Sequence, residues 1–556
     1  MLRTVTAPDK RGYDYVVIGA GSAGCVVASR LAEDPRSRVL LIEAGGSDRA
    51  LGIRMPAAMG LPLMSDRYNW KLAGVPEGRT GEPVYTPRGK GLGGSSSING
   101  MNWVRGNRQD YDGWASSGLA GWDYQSVLPY FKRAETYADG ANAYRGGQGP
   151  IQVERSKADN PLFEAFLRAG MEAGLADNPD HNGADQMGVH RIQRNIGQGV
   201  RQSASHAYLH KAPERANLDI LLNTRVTRLA MNARRCTSVE AICQGTPFSI
   251  EVGKEAILCA GAILSPQLLM LSGIGDARHL RDVGILPTAD LPAVGQGLSD
   301  HTCFTFFYEV VDPRESQARL LSIPGRLRIG VEWLLFRRGL GASNLFDVGA
   351  MMTTEDGMAI PDIQVECIAM RADFGRDAIR IEPGYQCHLS LQRPTSTGRI
   401  WLQSADPFAS PAFRFNFLST PDDRALAVKA IRRMHDYMLQ PSMAAKVKTE
   451  VGGVARTAPD GEILAWAQKV AETNFHPSCS LRMGAGDDSV VAASGRVHGI
   501  DNLRVVDASV FPAIPTANTN APTIMVAEKL SDLIRQRDAP ASLPDGKRAT
   551  AGVALS

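Results

Sequence analysis

Three glycines near the start of the chain have the spacing that a dinucleotide-binding turn requires. Gly19, Gly21 and Gly24 form a GxGxxG pattern, and Glu43 follows nineteen residues after the last of them. Gly19 allows a tight turn, Gly21 lets the backbone approach a pyrophosphate, and Gly24 lets a helix pack closely on a strand. Glu43 can accept hydrogen bonds from ribose hydroxyls, which disfavours a 2′-phosphate and therefore NADP. NAD and FAD are both compatible with this pattern.

The elements that must position these residues can be recognised around them. Tyr13–Ile18 is a compact apolar strand, Cys25–Leu31 has helical periodicity, and Val39–Ile42 is a second apolar strand. From Asp14 to Glu43 the segment has thirty residues, the size of one βαβ unit. A pyrophosphate would lie at the N-terminus of the helix, where unpaired N–H groups favour negative charge.

A second glycine-rich run, residues 88–106, reads RGKGLGGSSSINGMNWVRG. It lacks the Gly-Lys-Ser/Thr ending of a P-loop, so it does not predict that motif. Its glycines would let the backbone fold tightly against a flat or charged ligand, and Ser95–Ser97 and Asn99 supply polar groups. The apolar residues within the run, among them Leu92 and Trp103, disfavour a fully exposed loop.

Three later segments complete the predicted framework. A strand from Ala256 to Cys259 leads through a turn of small residues, 260–262, into a helix. Strand ends of this kind are where open α/β sheets bind ligands. Residues 502–512 predict another short strand and turn, and residues 521–537 predict a helix with Pro522 in its first turn.

Composition excludes several classes of protein. Of the 556 residues, 44% are hydrophobic and 21% are charged, as in a globular protein with a sizeable core. The net charge of +3 gives no argument for a nucleic-acid partner or for a polybasic membrane attachment. Residues 538–556, rich in Ala, Pro, Ser and charge, are predicted to be disordered.

The cysteines and the apolar runs indicate the cellular compartment and the kind of membrane attachment to expect. The eight cysteines contain no CxxC pair, so we predict no metal site and interpret them as reduced thiols of a cytoplasmic chain. The N-terminus lacks the apolar core of a signal peptide. No apolar run reaches the ~20 residues that span a bilayer, which leaves peripheral membrane contact as the only membrane association to consider.

In order, these motifs resemble those of the glucose-methanol-choline (GMC) family of FAD-dependent alcohol oxidoreductases. The matching stretches are GAGSAG at 19–24, the run 88–106, GAILSPQLLMLSGIG at 261–275, LPAVGQGLSDH at 291–301, and the C-terminal VVDASVFP and NTNAPTIMVAEK. The resemblance extends from about Tyr13 to Arg535. Within the family it is greatest to bacterial choline dehydrogenases and to sorbose-dehydrogenase-like enzymes.

The resemblance implies an α/β fold, α+β overall, with two domains. A discontinuous Rossmann-like FAD-binding domain would be assembled from three segments, 12–158, 215–300 and 474–537. A substrate domain, with an antiparallel sheet flanked by helices, would comprise residues 159–214 and 301–473.

The resemblance also implies which residues bind FAD. Asn99–Asn102 should pass alongside the flavin ring, Gly93–Ser95 should line the pyrophosphate, and Val226 should contact adenine through its backbone. The full predicted set is Gly19, Gly21, Ser22, Ala23, Gly24, Glu43, Ala44, Gly93, Gly94, Ser95, Asn99, Gly100, Met101, Asn102, Val226, Ala260, Asp507, Ala508, Ala521 and Pro522. Ile98 stands where members with covalent FAD carry a histidine, so we predict a non-covalent cofactor.

The catalytic residues are likewise assigned by resemblance. Residues 474–484, NFHPSCSLRMG, match the family pattern HP-x-GTC-x-MG at His476, while three positions after Pro477 depart from it. A neutral imidazole, with an ordinary pKa of ~6.5, can accept the hydroxyl proton as hydride leaves for flavin N5. The family pairs this histidine with a second His or Asn, and we assign that position to Asn520, with Asn518 the lesser candidate. We interpret His206, His301 and His388 as structural.

The substrate prediction depends on Asp347, in GASNLFDVGA. By resemblance, a glutamate at the matching position of choline-oxidising relatives faces the trimethylammonium group, and Phe346 and Trp70 could add cation–π contacts. Aspartate is one methylene shorter, and sorbose-dehydrogenase-like relatives also carry an acidic residue here without a cationic substrate. We therefore expect a small primary alcohol, with choline first to test and neutral alcohols or sugars as the alternative. A lyase with structural FAD and an NAD-dependent dehydrogenase are the competing functions. Oxygen and a quinone are both open as electron acceptor.

Overall fold

The computed structural model describes residues 2–9, 12–77, 81–211, 215–374 and 379–538. The tail predicted to be disordered lies outside the described residues, except for Asp538, where the last helix ends.

The predicted N-terminal unit forms the centre of a mixed eight-stranded sheet. Tyr13–Ile18 pairs in parallel with Val39–Ile42 on one side and with the end of Thr246–Leu258 on the other. Both predicted N-terminal strands are confirmed with their bounds, while the strand predicted at 256–259 is the end of a longer one. In chain order the strands of this sheet are Thr4–Val5, Tyr13–Ile18, Val39–Ile42, Leu218–Leu221, Thr224–Asn232, Arg235–Cys243, Thr246–Leu258 and Leu503–Val505.

Helices cover the parallel part of this sheet, because its strands are apolar on both faces. Val16, Val17 and Leu41 are fully buried there. Ser22–Leu31 packs on Tyr13–Ile18 and Val39–Ile42, Asn520–Asp538 packs on Ser22–Leu31, and Gly261–Leu271 packs on Thr224–Asn232. All three helices are at predicted positions. The carboxyl ends of parallel strands meet at one edge of a sheet, which is where such folds bind ligands.

A second sheet has seven strands and is antiparallel throughout. Its strands are Gly188–Arg191, Thr302–Val310, Val348–Met352, Ile363–Ile368, Tyr385–Leu391, Val447–Val451 and Glu472–Thr473. Side chains alternate across it, so that Val365 and Cys367 belong to a buried core shared with the helices Pro161–Glu172, Pro421–Met438 and Asp460–Val470. The opposite face, which carries Glu366, lines the cavity described below.

The remaining elements are short or peripheral. The other α-helices are Leu51–Arg54, Gly60–Leu63, Arg108–Ser116, Tyr124–Ala134, Ala277–Asp282, Ile323–Phe336 and Pro441–Ala444, with a π-helical turn at Ser205–His210. Single 3₁₀ turns are Pro56–Ala58, Gly94–Ser97, Pro313–Glu315, Gln317–Leu321, Leu340–Ala342 and Ala508–Val510. Small strands are Leu72–Glu77, Glu82–Thr86, Glu135–Tyr137, Ile151–Arg155, Gln193–Arg194, Ile196–Gly197, Val200–Arg201, Ile274–Gly275, Ala289–Asp290, Gln296–Leu298, Arg371–Phe374, Ile379–Glu382, Gly398–Trp401 and Ala412–Arg414. Within the described part of the chain, none of the helices is both long and apolar enough to cross a membrane.

We keep the two-domain boundaries as a proposal. The strands of the first sheet come from residues 4–42, 218–258 and 503–505, and those of the second come from 188–191 and 302–473. The chain therefore passes between the two sheets more than once, as a discontinuous cofactor domain requires.

Candidate active site

The two glycine-rich runs pack against each other at the carboxyl edge of the first sheet. A Cβ on Gly24 would lie 1.8 Å from the carbonyl oxygen of Gly19, so the helix that starts at Ser22 can approach its strand only without a side chain there. A Cβ on Gly94 would lie 2.7 Å from the Cα of Gly21, which ties the second run to the first. Gly19 has a φ of +98°, the left-handed region that favours glycine.

Glu43 is held at the same edge by backbone donors. Its carboxylate accepts hydrogen bonds from the N–H groups of Ala20, Gly45 and Gly91 at 2.8 to 2.9 Å. Burial raises the pKa of this carboxyl, and the three N–H groups oppose the increase. Glu43 also lines the cavity, so its oxygens can accept hydrogen bonds from a ligand.

A cavity connects this edge to the open face of the second sheet. Most of the predicted cofactor residues line it: Gly19, Gly21, Ser22, Ala23, Glu43, Ala44, Gly94, Ser95, Asn99, Gly100, Met101, Asn102, Val226, Ala260, Asp507 and Ala508. Gly24, Gly93, Ala521 and Pro522 are adjacent to lining residues but do not line the cavity themselves. His476, Asn518 and Asn520 line it too.

The cavity fits a dinucleotide. The helices Ser22–Leu31 and Asn520–Asp538 both begin at its wall, so the positive ends of two helix dipoles face the same space. Asn520 Oδ1 accepts a hydrogen bond from the Ser22 hydroxyl at 2.7 Å, while Asn520 Nδ2 is buried without a partner. A buried donor without a partner is costly, and a bound anion would satisfy it.

His476 is buried and contacts a side chain at each end of its ring. Its Nδ1 lies 3.0 Å from Nδ1 of His301, and its Nε2 lies 3.3 Å from Nδ2 of Asn518. Its backbone N–H donates to Asp300 at 3.0 Å. Burial is the largest cause that lowers the pKa of His476 well below its usual value, followed by the charges of His301 and Arg88. The imidazole is therefore neutral at physiological pH.

These two contacts determine which nitrogen of His476 carries the proton. Asn518 Oδ1 accepts a hydrogen bond from Gln364 Nε2 at 3.1 Å, so the Asn518 NH₂ group points at His476 Nε2. Nε2 must then be the acceptor. Nδ1 carries the proton and donates a hydrogen bond to Nδ1 of His301. The unprotonated Nε2 lies on the cavity side, where a base is needed.

The structure corrects two assignments around this histidine. Asn518, not Asn520, contacts His476, because Asn520 is already the first residue of the helix and turns its side chain to Ser22. His301, interpreted above as structural, contacts the His476 ring directly. Its position at the end of the LPAVGQGLSDH stretch was the sequence signal for it.

The predicted substrate carboxylate, Asp347, has a partner inside the protein. Asp347 Oδ1 lies 3.1 Å from Nη1 of Arg194, and this side chain is not part of the cavity wall. Burial raises the pKa of Asp347, and Arg194 opposes this as the main counter-charge. Asp347 therefore has a cationic partner inside the protein, which it shares with Glu154, and this pairing disfavours a role in ligand binding.

The two predicted aromatic residues both line the cavity, in different surroundings. The Trp70 ring already has Lys90 Nζ at 4.9 Å and the Arg225 guanidinium at 5.2 Å from its centroid, so cations of the protein occupy its faces. The Phe346 ring lies 5.7 Å from the ring of His388. Burial lowers the pKa of His388 to about 4, so this neighbour is neutral.

Glu366 is the cavity carboxylate that the sequence reasoning missed. It lies on the strand Ile363–Ile368, and its Oε1 accepts hydrogen bonds from Asn102 Nδ2 at 2.7 Å and from Gln364 Nε2 at 3.0 Å. Burial raises its pKa to about 7, while the amides of Asn102 and Asn518 lower it. Among the described residues, no lysine, arginine or histidine forms an ion pair with it. Nothing in the local sequence, PDIQVECIAM, distinguished this carboxylate from the other acidic residues of the chain.

One group beside the cavity has the residue types of a metal site. Ligand atoms of Cys303, His388 and Glu472 lie within 4.8 Å of one another. Hydrogen bonds account for this proximity: the Thr305 hydroxyl contacts both His388 Nδ1 and Glu472, and Gln386 contacts His388 Nε2. We assign no metal to this group.

Comparison with known proteins supports the interpretation of this cavity as the active site of an oxidoreductase. The GMC oxidoreductase N-terminal model matches residues 13–303, and the C-terminal model matches residues 394–527. The chain is 42% identical over 527 residues to an oxygen-dependent choline dehydrogenase of Vibrio vulnificus, covering 94% of both chains. It is 43% identical over 534 residues to the enzyme of the same name from Paraburkholderia xenovorans, covering 95% of both.

Solved structures give the same result. Pyridoxine 4-oxidase from Mesorbium loti superposes with a TM-score of 0.85 at 29% identity, covering 94% of this chain and 99% of that one. A variant of formate oxidase from Aspergillus oryzae superposes with a TM-score of 0.88 at 27% identity, covering 96% and 99%. These matches decide between NAD and FAD, which the first βαβ unit left open. The chain therefore belongs to the GMC oxidoreductase family, and it is an FAD-dependent oxidoreductase that acts on the CH–OH group of an alcohol.

Proposed function

We propose that the substrate is a small primary alcohol that carries a positively charged nitrogen, with choline as the first compound to test. One observation carries this proposal: Glu366 is a buried carboxylate on the cavity wall with no cationic partner among the described residues. The relatives named choline dehydrogenases support it. A neutral alcohol or a sugar is the alternative, and the cation-binding role given to Asp347 is withdrawn.

An uncompensated buried charge is costly, and that cost favours a cationic ligand. The groups that surround Glu366 are amides or are neutral at physiological pH, since the pKa of His388 is about 4 and that of His476 is well below its usual value. A ligand ammonium would supply the counter-charge that the protein omits. Such pairing in a water-excluded site is stronger than at the surface.

We assign the proton transfer to His476. FAD, when bound, accepts the hydride that leaves the carbinol carbon. His476 Nε2 accepts the hydroxyl proton, so that one proton and one hydride leave the alcohol and an aldehyde remains. When the alcohol binds, the Asn518 NH₂ group would move its hydrogen bond from Nε2 of His476 to the oxygen on which negative charge develops.

We assign a positioning role to His301. Its Nδ1 accepts a hydrogen bond from the N–H at Nδ1 of His476, which keeps Nε2 of His476 unprotonated. Asp300 supports the same loop from the backbone, because its carboxylate accepts the His476 N–H. A ring held in one tautomer loses little freedom at the moment of reaction.

The proposed function is tested by anaerobic reduction of the bound flavin. Choline and its neutral isostere 3,3-dimethyl-1-butanol are compared at equal concentration, and the loss of flavin absorbance is followed. Rapid bleaching by choline with slow bleaching by the isostere supports the proposal. Equal bleaching, or bleaching by the isostere alone, would mean a neutral substrate. If no alcohol bleaches the flavin, the assigned site residues are not those of an alcohol oxidase or dehydrogenase.

The electron acceptor and the location also belong to this proposal. We propose a cytoplasmic enzyme whose reduced cofactor is reoxidised by oxygen or by a quinone. Mixing the alcohol-reduced enzyme with air-saturated buffer or with a soluble quinone analogue, and comparing the two reoxidation rates, identifies the acceptor.

A further inference from the structure

Gln364 lies next to the cavity wall but is not one of the described residues that form it. It belongs to the strand Ile363–Ile368, two positions before Glu366, so both side chains are on the same face of the second sheet. The residue is buried, with 1% of its surface exposed. A buried amide needs partners for its hydrogens, and those partners decide which way the amide faces.

The NH₂ group of Gln364 contacts two oxygen acceptors. Its Nε2 donates to Oε1 of Glu366 at 3.0 Å and to Oδ1 of Asn518 at 3.1 Å. Its own oxygen, Oε1, is buried without a hydrogen-bond partner. Turning the amide over would place that oxygen against the two acceptors, which repel it. Of the two orientations of this amide, only the observed one forms both hydrogen bonds.

The orientation of Gln364 is passed on to the catalytic histidine. Because Asn518 turns its oxygen to Gln364, it presents its NH₂ group to Nε2 of His476, at 3.3 Å. An imidazole nitrogen that faces a donor must be unprotonated, so the proton of the neutral ring is on Nδ1, which donates to His301. Each amide donates from one end and accepts at the other, so the orientation of the first determines the tautomer of the ring.

Glu366 anchors the start of this chain of hydrogen bonds. Its Oε1 also accepts a hydrogen bond from Asn102 Nδ2 at 2.7 Å, and Asn344 Nδ2 donates to Asn102 Oδ1 at 2.7 Å, which orients that amide in turn. A carboxyl group with two donors at one oxygen takes up a proton at its other oxygen, so Oε1 remains an acceptor. The direction of the hydrogen bonds is therefore the same whether Glu366 is ionised or protonated.

We propose that Gln364 is a positioning residue that fixes the tautomer of the catalytic histidine through Asn518. The inference rests on the proposed function, because it takes His476 as the base. In this scheme Gln364 touches neither substrate nor cofactor, and it keeps Nε2 of His476 unprotonated before the alcohol binds. Without Gln364 the Asn518 amide can turn over and present its oxygen to Nε2. That arrangement would hold the proton on Nε2 and remove the base.

Gln364→Met tests this in the full-length holoenzyme, because methionine keeps the length of the side chain and removes its donors. The matched control is Gln386→Met, which is equally buried and lies on the neighbouring strand of the same sheet. Anaerobic flavin reduction is measured at saturating choline and at saturating 3,3-dimethyl-1-butanol. We expect the limiting rate of Gln364→Met to fall about 10²-fold for both alcohols, with FAD content unchanged, and that of the control to stay close to the wild type.

Asn518→Asp imposes the opposite tautomer while Gln364 stays in place. Both carboxylate oxygens are acceptors, so Nε2 of His476 must carry a proton, and flavin reduction should be slower than in Asn518→Ala. Protonation of the ring is read by NMR of the holoenzyme labelled with ¹⁵N-histidine, where His476→Ala identifies the signals. We expect the proton on Nδ1 in the wild type, on Nε2 in Asn518→Asp, and both tautomers in Gln364→Met.

A wild-type rate of flavin reduction in Gln364→Met would overturn the proposal, as would an unchanged tautomer of His476 in that variant. An equal loss in Gln386→Met would overturn it too, because the effect would then belong to the sheet as a whole. If Gln364→Met does not retain FAD, Asn518→Asp decides: slow reduction with Nε2 protonated supports the proposal, and a proton only on Nδ1 contradicts it. Fast reduction in His476→Ala would instead reject the proposed function itself.

Discussion

His301 and His476 place their Nδ1 atoms 3.0 Å apart, so one hydrogen bond joins the two buried imidazoles. Burial lowers the pKa of His301 to about 3 and that of His476 well below its usual value, and the pair is therefore neutral. Because Asn518 donates toward His476 Nε2, the proton of this hydrogen bond is on Nδ1 of His476, and His301 is the acceptor. The arrangement leaves Nε2 of His476 unprotonated, and its lone pair accepts from Asn518 at 3.3 Å until an alcohol hydroxyl takes that place.

His476→Ala should retain FAD but lose flavin reduction. A positioned general base contributes about 10²–10⁴-fold to the rate, and we expect a loss in that range in anaerobic stopped-flow measurements. FAD content, read from the absorbance ratio of the purified variant, is the control for folding. A reduction rate close to that of the wild type would remove His476 from the proposed role.

Asn518→Ala and Asn520→Ala should fail in different ways. Asn518 contacts the base, so its loss should slow flavin reduction by about 10²-fold with FAD content unchanged. Asn520 joins the start of the last helix to Ser22, so its loss should mainly weaken FAD retention. Titration of each apoprotein with FAD, alongside reduction kinetics, separates the two effects. The reverse result would restore Asn520 as the catalytic partner.

Glu366→Gln should weaken selection of the cationic alcohol. Removing one partner of a buried charge pair costs about 2–5 kcal/mol, so the kcat/KM for choline should fall about thirtyfold or more relative to that for 3,3-dimethyl-1-butanol. Asp347→Asn is the matched control, since its carboxylate is paired with Arg194 and should leave this ratio unchanged. An unchanged ratio in Glu366→Gln, or a collapse of it in Asp347→Asn, contradicts the assignment.

The pH dependence should differ between the two substrates. The folded pKa of Glu366 is raised to about 7, so the ionised form that attracts a cation is lost as the pH falls through that value. The kcat/KM for choline should therefore decline below about pH 7, by about tenfold per pH unit, while that for the neutral isostere stays level. His476, with its lowered pKa, remains neutral across this range. If kcat/KM depended on pH in the same way for both alcohols, Glu366 would not be the group whose ionisation controls choline binding.

Ionisation of the Glu366 carboxyl should favour choline turnover but lower the stability of the folded, ligand-free enzyme. An acidic group whose folded pKa lies above its ordinary value destabilises the folded protein as the pH rises above about 4.5, and the full cost is reached above the folded pKa. From 4.5 to about 7 that cost is about 3 kcal/mol. Glu366→Gln should therefore unfold at a higher temperature than the wild type at pH 8 and at a similar one near pH 5, measured by thermal scanning of the ligand-free enzyme. A lower melting temperature at pH 8 would show that the carboxylate has a counter-charge.

The sequence alone determined the parts of the site that lie close together along the chain. The unit from Gly19 to Glu43 could be predicted because strand, turn, helix and strand are consecutive, and each glycine has a local steric reason. His476 could be found because its neighbours 474–484 form a recognisable motif. The non-covalent attachment predicted from Ile98 remains to be tested.

Only the tertiary structure decided which polar side chains share the cavity. Asn518 and Asn520 are two residues apart, and the start of a helix between them sends one to His476 and the other to Ser22. Asp347 is neutralised by Arg194, 153 residues away, whereas Glu366 is buried without such a partner. Whether a carboxylate can bind a cationic ligand depends on the charged side chains that folding places beside it. Those partners come from distant segments, so local sequence patterns do not contain the information.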